Sequence, residues 1–231
     1  MKERILDFNA VVKESLMNKF PLKEIALSED LKFFNSKRLL GLVRAENHTF
    51  TSDGKIEKLA CSNININKIA SVSLGFVHPG NESDLPILIF EKMELNRIIT
   101  FSSIDFIPLS KRADYQEQYI EPLKLINDDL DFLPGKINSA STRFNSPYNF
   151  HGYFKRYHKF TVGVALERYL ELWTSLIGKE PLAFSPEYRE EIKSNKEKFR
   201  KEFLSANRSI KVLRFIFGKT SAERILKELL F

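Results

Sequence analysis

Two apolar runs joined by a short polar turn occupy the middle of the chain, in DLPILIFEKMELNRIITFSSIDFIPL, Asp84 to Leu109. The runs Ile87 to Phe90 and Ile98 to Ile107 contain no Gly or Pro and are rich in Ile, Phe and Ser. A polar break separates them, at Glu94, Asn96 and Arg97. Short apolar runs bounded by turn residues favour strands over helices, so the pattern predicts a β-hairpin.

Each run carries one acid, Glu91 at the close of the first and Asp105 near the end of the second. Side chains alternate along a strand, which places Glu91 on the face of Ile87 and Ile89. An acid on an apolar face loses hydration, so its pKa rises and it can hold a proton near neutral pH, as a proton donor beside a buried ligand must. The alternative is that the strand end emerges into solvent at Glu91. For Asp105, close to Pro108, we expect the solvated alternative.

The N-terminal half predicts helices followed by a meander of strands. Apolar spacing predicts a helix from Arg4 to Phe20, and a second short helix is expected from Leu22 to Phe34. The segment from Leu40 to Asn67 favours two strands around the turn Ser52-Asp53-Gly54, and a further strand is expected from Lys68 to Val77. Strands joined by such short loops predict an antiparallel meander.

The C-terminal half is mainly helical. The predicted elements are a helix from Tyr115 to Leu130 kinked near Pro122, a strand from Phe150 to Tyr157, and helices at Val162 to Ile177, Pro186 to Ser205, Ile210 to Ile216 and Ala222 to Leu230. Gly218 is expected to end the helix that precedes it. The pattern predicts one α/β domain over residues 1–231, with an antiparallel sheet covered on both faces.

Composition narrows the class of protein. The 231 residues are 43% hydrophobic, enough for a sizeable core, and no run approaches the roughly 18 apolar residues of a membrane span. The N-terminal sequence has no continuous apolar segment of the kind typical of a signal peptide. A lone cysteine, Cys61, excludes an internal disulfide and a thiolate-built metal site. These features predict a cytoplasmic protein.

The net charge of +6 predicts an acidic partner or ligand. Five basic residues cluster in the charged C-terminal helix: Lys193, Lys196, Lys198, Arg200 and Lys201. They fit either a solvated helix face or a docking patch for an acidic protein. Nucleic acid is a weaker reading, because acids are mixed in and no nucleic-acid motif accompanies the patch.

Common catalytic and cofactor motifs are absent from the sequence, including GxGxxG, HExxH and GxSxG. The four histidines are His48, His78, His151 and His158. No third ligand accompanies the last two, so we interpret them as core or rim residues and predict no metal site.

Several segments together resemble the ferredoxin-dependent bilin reductases, whose relatives include the red chlorophyll catabolite reductases. They are DLPILIFEKM, IDFIPL, YQEQYIEPLKLI followed by LPG, and FGKTSAERILKELLF, and the similarity runs from about Lys68 to Phe231. The resemblance implies a three-layer α/β/α sandwich with a central antiparallel sheet, and a bilin pocket between the sheet and the C-terminal helices. It also implies reduction of biliverdin IXα to a phytobilin by proton-coupled single-electron steps. The electrons would come from a reduced [2Fe-2S] ferredoxin, with no metal, flavin or nicotinamide bound, and we expect a monomer.

The resemblance also assigns candidate site residues. Glu91 falls on the family's strand aspartate, Asn207 on the acid of the C-terminal helix, and Leu74 on a strand position that carries His or Asn. Contacts to the bilin and its propionates are implied for Arg156, Arg208, Thr100, Arg214 and Lys211. The basic cluster of the charged helix would then dock ferredoxin.

Two of the three usual polar donors are therefore altered in this chain, at Leu74 and Asn207. One hypothesis is a reductase in which Glu91 is the principal proton donor, while water and Asn207 orient the substrate. A further possibility is a reductase that reduces a different double bond of the bilin. The other reading is a tetrapyrrole carrier that binds the pigment without reducing it. A basic nucleic-acid-binding protein is a distant third.

Overall fold

The computed structural model describes residues 7–36, 42–67, 69–96, 98–130, 144–155, 159–177, 179, 182, 185–206, 214–215 and 217–230. Eight strands form one sheet in which every described pairing is antiparallel. The strands are β1 (Lys23–Ile25), β2 (Phe33–Ser36), β3 (Val43–Ser52), β4 (Ile56–Ile66), β5 (Ala70–Pro79), β6 (Ile87–Leu95), β7 (Ile99–Ile107) and β8 (Phe150–Lys155). Their order is β1-β3-β4-β5-β6-β7-β8, and β2 pairs with β3 beside β1.

The described helices are α1 (Phe8–Met17), α2 (Glu29–Lys32), α3 (Ala113–Tyr115), α4 (Pro122–Asp129), α5 (Lys159–Leu176), α6 (Pro186–Ala206) and α7 (Lys219–Leu230). Helix α1 begins at Asp7, whose Oδ1 accepts hydrogen bonds from the N–H groups of Asn9 and Ala10, the usual way to satisfy the first turn. A π-helical turn, Gln116–Ile120, joins α3 to α4, and Pro122 begins α4. Within the described residues, no helix combines the length and apolar character that crossing a membrane requires.

Helices cover both faces of the sheet, as the pattern predicted. On the face that we call the α1 face, the Lys13 ammonium of α1 lies 4.8 Å from the Phe50 ring centroid, and Tyr169 of α5 packs edge-on against Phe106 at 5.7 Å. On the opposite face, the α6 face, Phe203 of α6 meets the ring of Phe76 at 5.2 Å. The three-layer α/β/α arrangement with a central antiparallel sheet is confirmed.

The predicted hairpin is confirmed as β6 and β7, paired from Ile87 opposite Ile107 to Leu95 opposite Ile99. Strand β6 is longer than the apolar run, so Glu91 lies at its middle and does not close it. Glu94 belongs to the strand and not to the turn, because its carboxylate is buried beside the ammonium of Lys92, at 3.5 Å. The turn itself contains Asn96 in the left-handed region, at φ 49°, a conformation that Asn tolerates better than most residues.

The close packing of β5 on β6 requires Gly75. Its cross-strand partner is Phe90, whose ring lies over the glycine; a Cβ atom at position 75 would lie 2.1 Å from Cζ of that ring. The Ala60 carbonyl oxygen would be only 2.7 Å away. A side chain as small as a methyl group therefore does not fit here.

The helix predicted from Leu22 to Phe34 is wrong. That segment forms β1, the single turn α2 and the start of β2, because the edge strand β3 offers unpaired backbone groups to both short strands. The strands around Ser52-Asp53-Gly54, the interruption of the helical segment near Pro122, and helices α5 and α6 match their predictions. Gly218 adopts φ 82° and donates its N–H to the Arg214 carbonyl, the geometry expected of a residue that ends a helix.

Candidate active site

The middle of β6 places Glu91 on the α6 face of the sheet. Its cross-strand partners are Leu74 on β5 and Ser103 on β7, and directly opposed residues share a face. The neighbouring Ser102 hydroxyl donates to the Glu91 carbonyl oxygen at 3.2 Å, which adds a side-chain bond to the ladder at this point. The Glu91 side chain is only partly buried. Its carboxyl group therefore lies beside apolar side chains and is still accessible to solvent.

The register continues this row onto β8, where His151 lies opposite Ser103. Leu74, Glu91, Ser103 and His151 therefore form one line across four adjacent strands, which we call the cross-sheet row. Leu74 is 5% exposed, whereas the other three are partly exposed. Adjacent strands lie about 4.8 Å apart, which puts the backbones of Glu91 and His151 about 10 Å from each other.

Apolar and aromatic side chains extend the same face beside the row. Met93 and Phe101 are partly buried, and Tyr153, opposite Phe101, is 51% exposed with its ring centroid 5.4 Å from that of Phe101. Flat aromatic surface next to a carboxyl group and an imidazole can hold a planar conjugated ligand and donate protons to it at separate points.

Asp105 is on the α6 face too, opposite Ile89, but it is fully buried. Its Oδ2 accepts from the Ser146 N–H at 2.9 Å and from Asn145 Nδ2 at 3.0 Å, while Oδ1 lies 2.5 Å from Ser146 Oγ. Burial raises the pKa of Asp105 to about 7, against the lowering effect of the hydrogen bonds from Ser146 and Asn145. The expected solvated acid is therefore wrong; Asp105 fastens the segment before β8 onto the sheet.

A second buried acid, Asp84, organises the loop before β6. It is 5% exposed and accepts hydrogen bonds from the hydroxyl groups of Tyr119 and Tyr188, each at 2.8 Å. Burial and the Asp84 carboxylate raise the pKa of both tyrosines, so they remain neutral donors. Asp84 thus ties the π-helical turn and the start of α6 to the hairpin. Sequence inspection did not find this role.

Thr100, expected to face the pigment, lies on the opposite side of the sheet. It pairs with Glu94 and Phe154 on the α1 face and is 1% exposed. Thr100 therefore does not share the face of Glu91, because it lies three positions from Ser103, the cross-strand partner of Glu91, and an odd separation along a strand puts two side chains on opposite faces. Leu74, by contrast, lies opposite Glu91 and on the same face.

Arg214 is the propionate candidate that the structure describes, and its Nη2 lies 3.0 Å from Glu223 Oε1 of α7. Four further candidates lie outside the described residues: Arg156, Asn207, Arg208 and Lys211.

The basic cluster of α6 divides between two sides of the helix. Lys193, Lys198 and Lys201 are exposed. Lys196 is 7% exposed and donates to the carbonyl groups of Gly80 and Ser83, at 3.1 and 3.0 Å; burial lowers its pKa to about 8. Its assignment to a docking surface is wrong, because its ammonium group holds α6 to the loop before β6.

Arg200, four residues further along α6, also turns toward the sheet and is a poor docking residue. Its Nη2 lies 2.7 Å from Glu57 Oε1. Residues four apart share one side of a helix, which is why Lys196 and Arg200 point inward together.

A cavity of about 550 Å³ lies between the loop before β6 and the first turns of α6. Asp84, Tyr188 and Lys196 contribute to its lining, but Glu91 and His151 do not. Among the described residues, no group of three or more His, Cys, Asp or Glu side chains is arranged to hold a metal ion.

Comparison with known proteins identifies what this geometry resembles. The sequence model of the ferredoxin-dependent bilin reductases matches residues 10–231. Two curated relatives are 15,16-dihydrobiliverdin:ferredoxin oxidoreductases. The one from Nostoc punctiforme is 23% identical over 97% of this chain and 93% of its own length, and the one from Gloeobacter violaceus is 23% identical over 95% and 91%. Tomato phytochromobilin synthase, solved in complex with biliverdin, shares the fold with a TM-score of 0.82 at 19% identity, covering 96% of this chain and 82% of that one.

Proposed function

The chain belongs to the ferredoxin-dependent bilin reductase family, and from this premise we propose that it reduces biliverdin IXα to a phytobilin. The observation that carries the proposal is the position of Glu91. A carboxyl group stands at the centre of the sheet, on the face toward α6, with aromatic surface beside it. The tomato relative was solved with biliverdin, a flat conjugated ligand that this surface would suit.

Glu91 acts in this proposal as a proton donor. Reduction of one double bond of a bilin consumes two electrons and two protons, and a radical anion that has gained one electron becomes basic enough to take a proton from a nearby acid. Glu91 supplies that proton and is protonated again from solvent, which its partial exposure permits. Proton transfer from a positioned group typically accelerates a step by about 100-fold to 10,000-fold.

The electrons come from a reduced [2Fe-2S] ferredoxin in this proposal, so the chain itself holds no redox cofactor. Lys193, Lys198 and Lys201 form the exposed basic surface proposed to attract this acidic partner. Contacts to the bilin propionates remain proposed for Arg156, Arg208, Lys211 and Arg214. Asn207 is proposed to orient the pigment, since an amide both donates and accepts hydrogen bonds.

An anaerobic absorbance time course tests the function. Purified protein is mixed with biliverdin and a reduced ferredoxin system, in parallel with Glu91→Gln, which preserves the shape of the side chain and removes its acid. We expect a shift of the wild-type spectrum to shorter wavelength, and a step slowed by about 100-fold or more in the variant, with a radical intermediate. Equal rates in both proteins would refute the role of Glu91.

A carrier protein is the second candidate, and Leu74 favours it. This residue lies directly beside Glu91 on β5, is 5% exposed, and offers no proton where family members carry His or Asn. A carrier would bind biliverdin with a changed spectrum that reduced ferredoxin does not alter further. The same time course therefore separates the two functions.

A further inference from the structure

The cross-sheet row contains a second group able to deliver a proton. His151 lies on β8, on the α6 face and in register with Ser103 and Glu91. We propose that His151 is a second proton donor of the pigment site, serving a different atom of the bilin from the one that Glu91 serves. This inference rests on the proposed bilin reduction.

The chemistry of imidazole suits this role. Its two nitrogens are both donors when the ring is charged, and the ring gains and loses a proton near neutral pH. His151 is partly exposed, so a proton that it delivers can be replaced from solvent. Asp105, the other acid nearby on this face, is fully buried, and both of its carboxylate oxygens are engaged by Ser146.

The spacing of the row assigns the two donors to different atoms. The backbones of Glu91 and His151 are about 10 Å apart, two strand spacings, which is too far for both side chains to serve one atom. An open-chain tetrapyrrole lying flat on the sheet would extend past both residues. Ser103 stands between them, and its partly exposed hydroxyl group can hydrogen-bond a pyrrole or lactam group from the same side.

The residues that flank Glu91 on the two adjacent strands differ in chemistry, and for this reason the second donor is expected on the side of β8. On the β5 side, the neighbour Leu74 is a buried apolar residue that cannot donate a proton. On the β7 and β8 side, the row continues with polar side chains at Ser103 and His151. A pigment that lies on this row would receive one proton from Glu91 on β6 and another from His151 on β8.

The two half-reactions balance with one proton from each donor. Reduced ferredoxin gives one electron to the bilin, and the radical anion takes a proton from one donor to become a neutral radical. A second reduced ferredoxin gives another electron, and the resulting anion takes a proton from the other donor. One double bond of the bilin is lost, two ferredoxins are oxidised, and the Glu91 carboxylate and His151 imidazole are protonated again from solvent.

The test compares His151→Gln with a matched control, His48→Gln. Gln keeps hydrogen-bonding capacity at position 151 but cannot release a proton. His48 lies on β3, on the α1 face, beside Glu24 and Glu46, so the same substitution there leaves the pigment site untouched. Biliverdin binding is measured first, followed by anaerobic single turnover with reduced ferredoxin, electron paramagnetic resonance of trapped radicals, and chromatography of the product.

We expect His151→Gln to bind biliverdin as the wild type does and to slow one protonation step by about 100-fold or more. A partly reduced or radical species that differs from the one stalled in Glu91→Gln should accumulate, whereas His48→Gln should follow the wild type. An unchanged time course and product for His151→Gln would overturn the inference while leaving bilin reduction intact.

Two further outcomes are distinguishable. Loss of biliverdin binding in both His151→Gln and His151→Asn, with the circular dichroism spectrum unchanged, would make His151 a binding contact and overturn its role as proton donor. A wild type that binds biliverdin but leaves it unreduced would overturn the proposed function itself, and the second donor with it.

Discussion

Asp105→Asn tests whether the buried acid under the segment before β8 is neutral in the folded protein. A protonated Asp105 would accept two N–H donors at Oδ2 and donate its proton from Oδ1 to Ser146 Oγ, in keeping with the distances of 2.9, 3.0 and 2.5 Å. Asn reproduces that pattern, with its carbonyl oxygen in place of Oδ2 and its NH2 group in place of the protonated Oδ1. The substitution therefore mimics the neutral acid and removes the ionised form.

The magnitude follows from the pKa of Asp105, which burial raises from 3.8 to about 7. Between these values the folded protein holds a proton that the unfolded chain releases, so folding takes up a proton and the free energy of unfolding falls as pH rises. Each pH unit is worth about 1.4 kcal/mol, which makes the full effect about 4 kcal/mol, reached above pH 7. Below about pH 3, well under the unfolded pKa of 3.8, the acid is neutral in both states and contributes no pH dependence.

Urea unfolding of wild type and Asp105→Asn at pH 5 and pH 8 measures this effect. We expect the stability of the variant relative to the wild type to increase by 1 to 3 kcal/mol from pH 5 to pH 8, part of the full effect of about 4 kcal/mol, because only the wild type must bury a charge at the higher pH. Ser175→Ala, which alters an exposed position whose hydroxyl group donates to the Leu172 carbonyl group, serves as a control whose difference from the wild type should not depend on pH. A stability difference for Asp105→Asn that is equal at both pH values would refute a raised pKa.

Two predictions concern packing. Lys196→Met keeps the length of the side chain but removes the donor to two loop carbonyl groups, and should destabilise the protein by about 1 to 3 kcal/mol in urea unfolding, whereas Lys193→Met, at an exposed position of the same helix, should change little. Gly75→Ala should cost about 1 to 3 kcal/mol, because the added methyl group meets the Phe90 ring, and thermal unfolding of Gly75→Ala with Phe90→Leu should show that the second change recovers part of the loss.

The sequence predicted the fold wherever local pattern and tertiary structure agree. Strands β6 and β7 and helix α5 each carry apolar periodicity along their own length, so their positions could be derived residue by residue. The segment from Leu22 to Phe34 failed because its structure depends on the free edge of β3, a partner that the segment's own residues do not reveal. Pairing with a distant strand outweighs weak helical preference.

The candidate site was predicted only as far as alternation along one strand allows. Alternation placed Glu91 on the face of Ile87 and Ile89, but it could not show that Leu74 lies beside Glu91, because that requires the pairing of β5 with β6. Thr100 was misplaced, and His151 was not recognised, because both assignments require the pairing of β7 with β6 and β8. Strand β8 is separated from β7 in sequence by α3, the π-helical turn and α4. No local pattern in the sequence predicts the register in which β7 and β8 pair.

Glu91 and Asp105 show why the exposure of an acid cannot be derived from its own strand. Both lie on the α6 face of one hairpin, on adjacent strands and two positions apart in register. Their environments differ because Asn145 and Ser146, some forty residues away along the chain, close over Asp105 and leave Glu91 partly exposed. The covering segment thus converts one carboxyl group into a fixed structural link. It leaves the other carboxyl group, together with His151, on the surface where a pigment would lie.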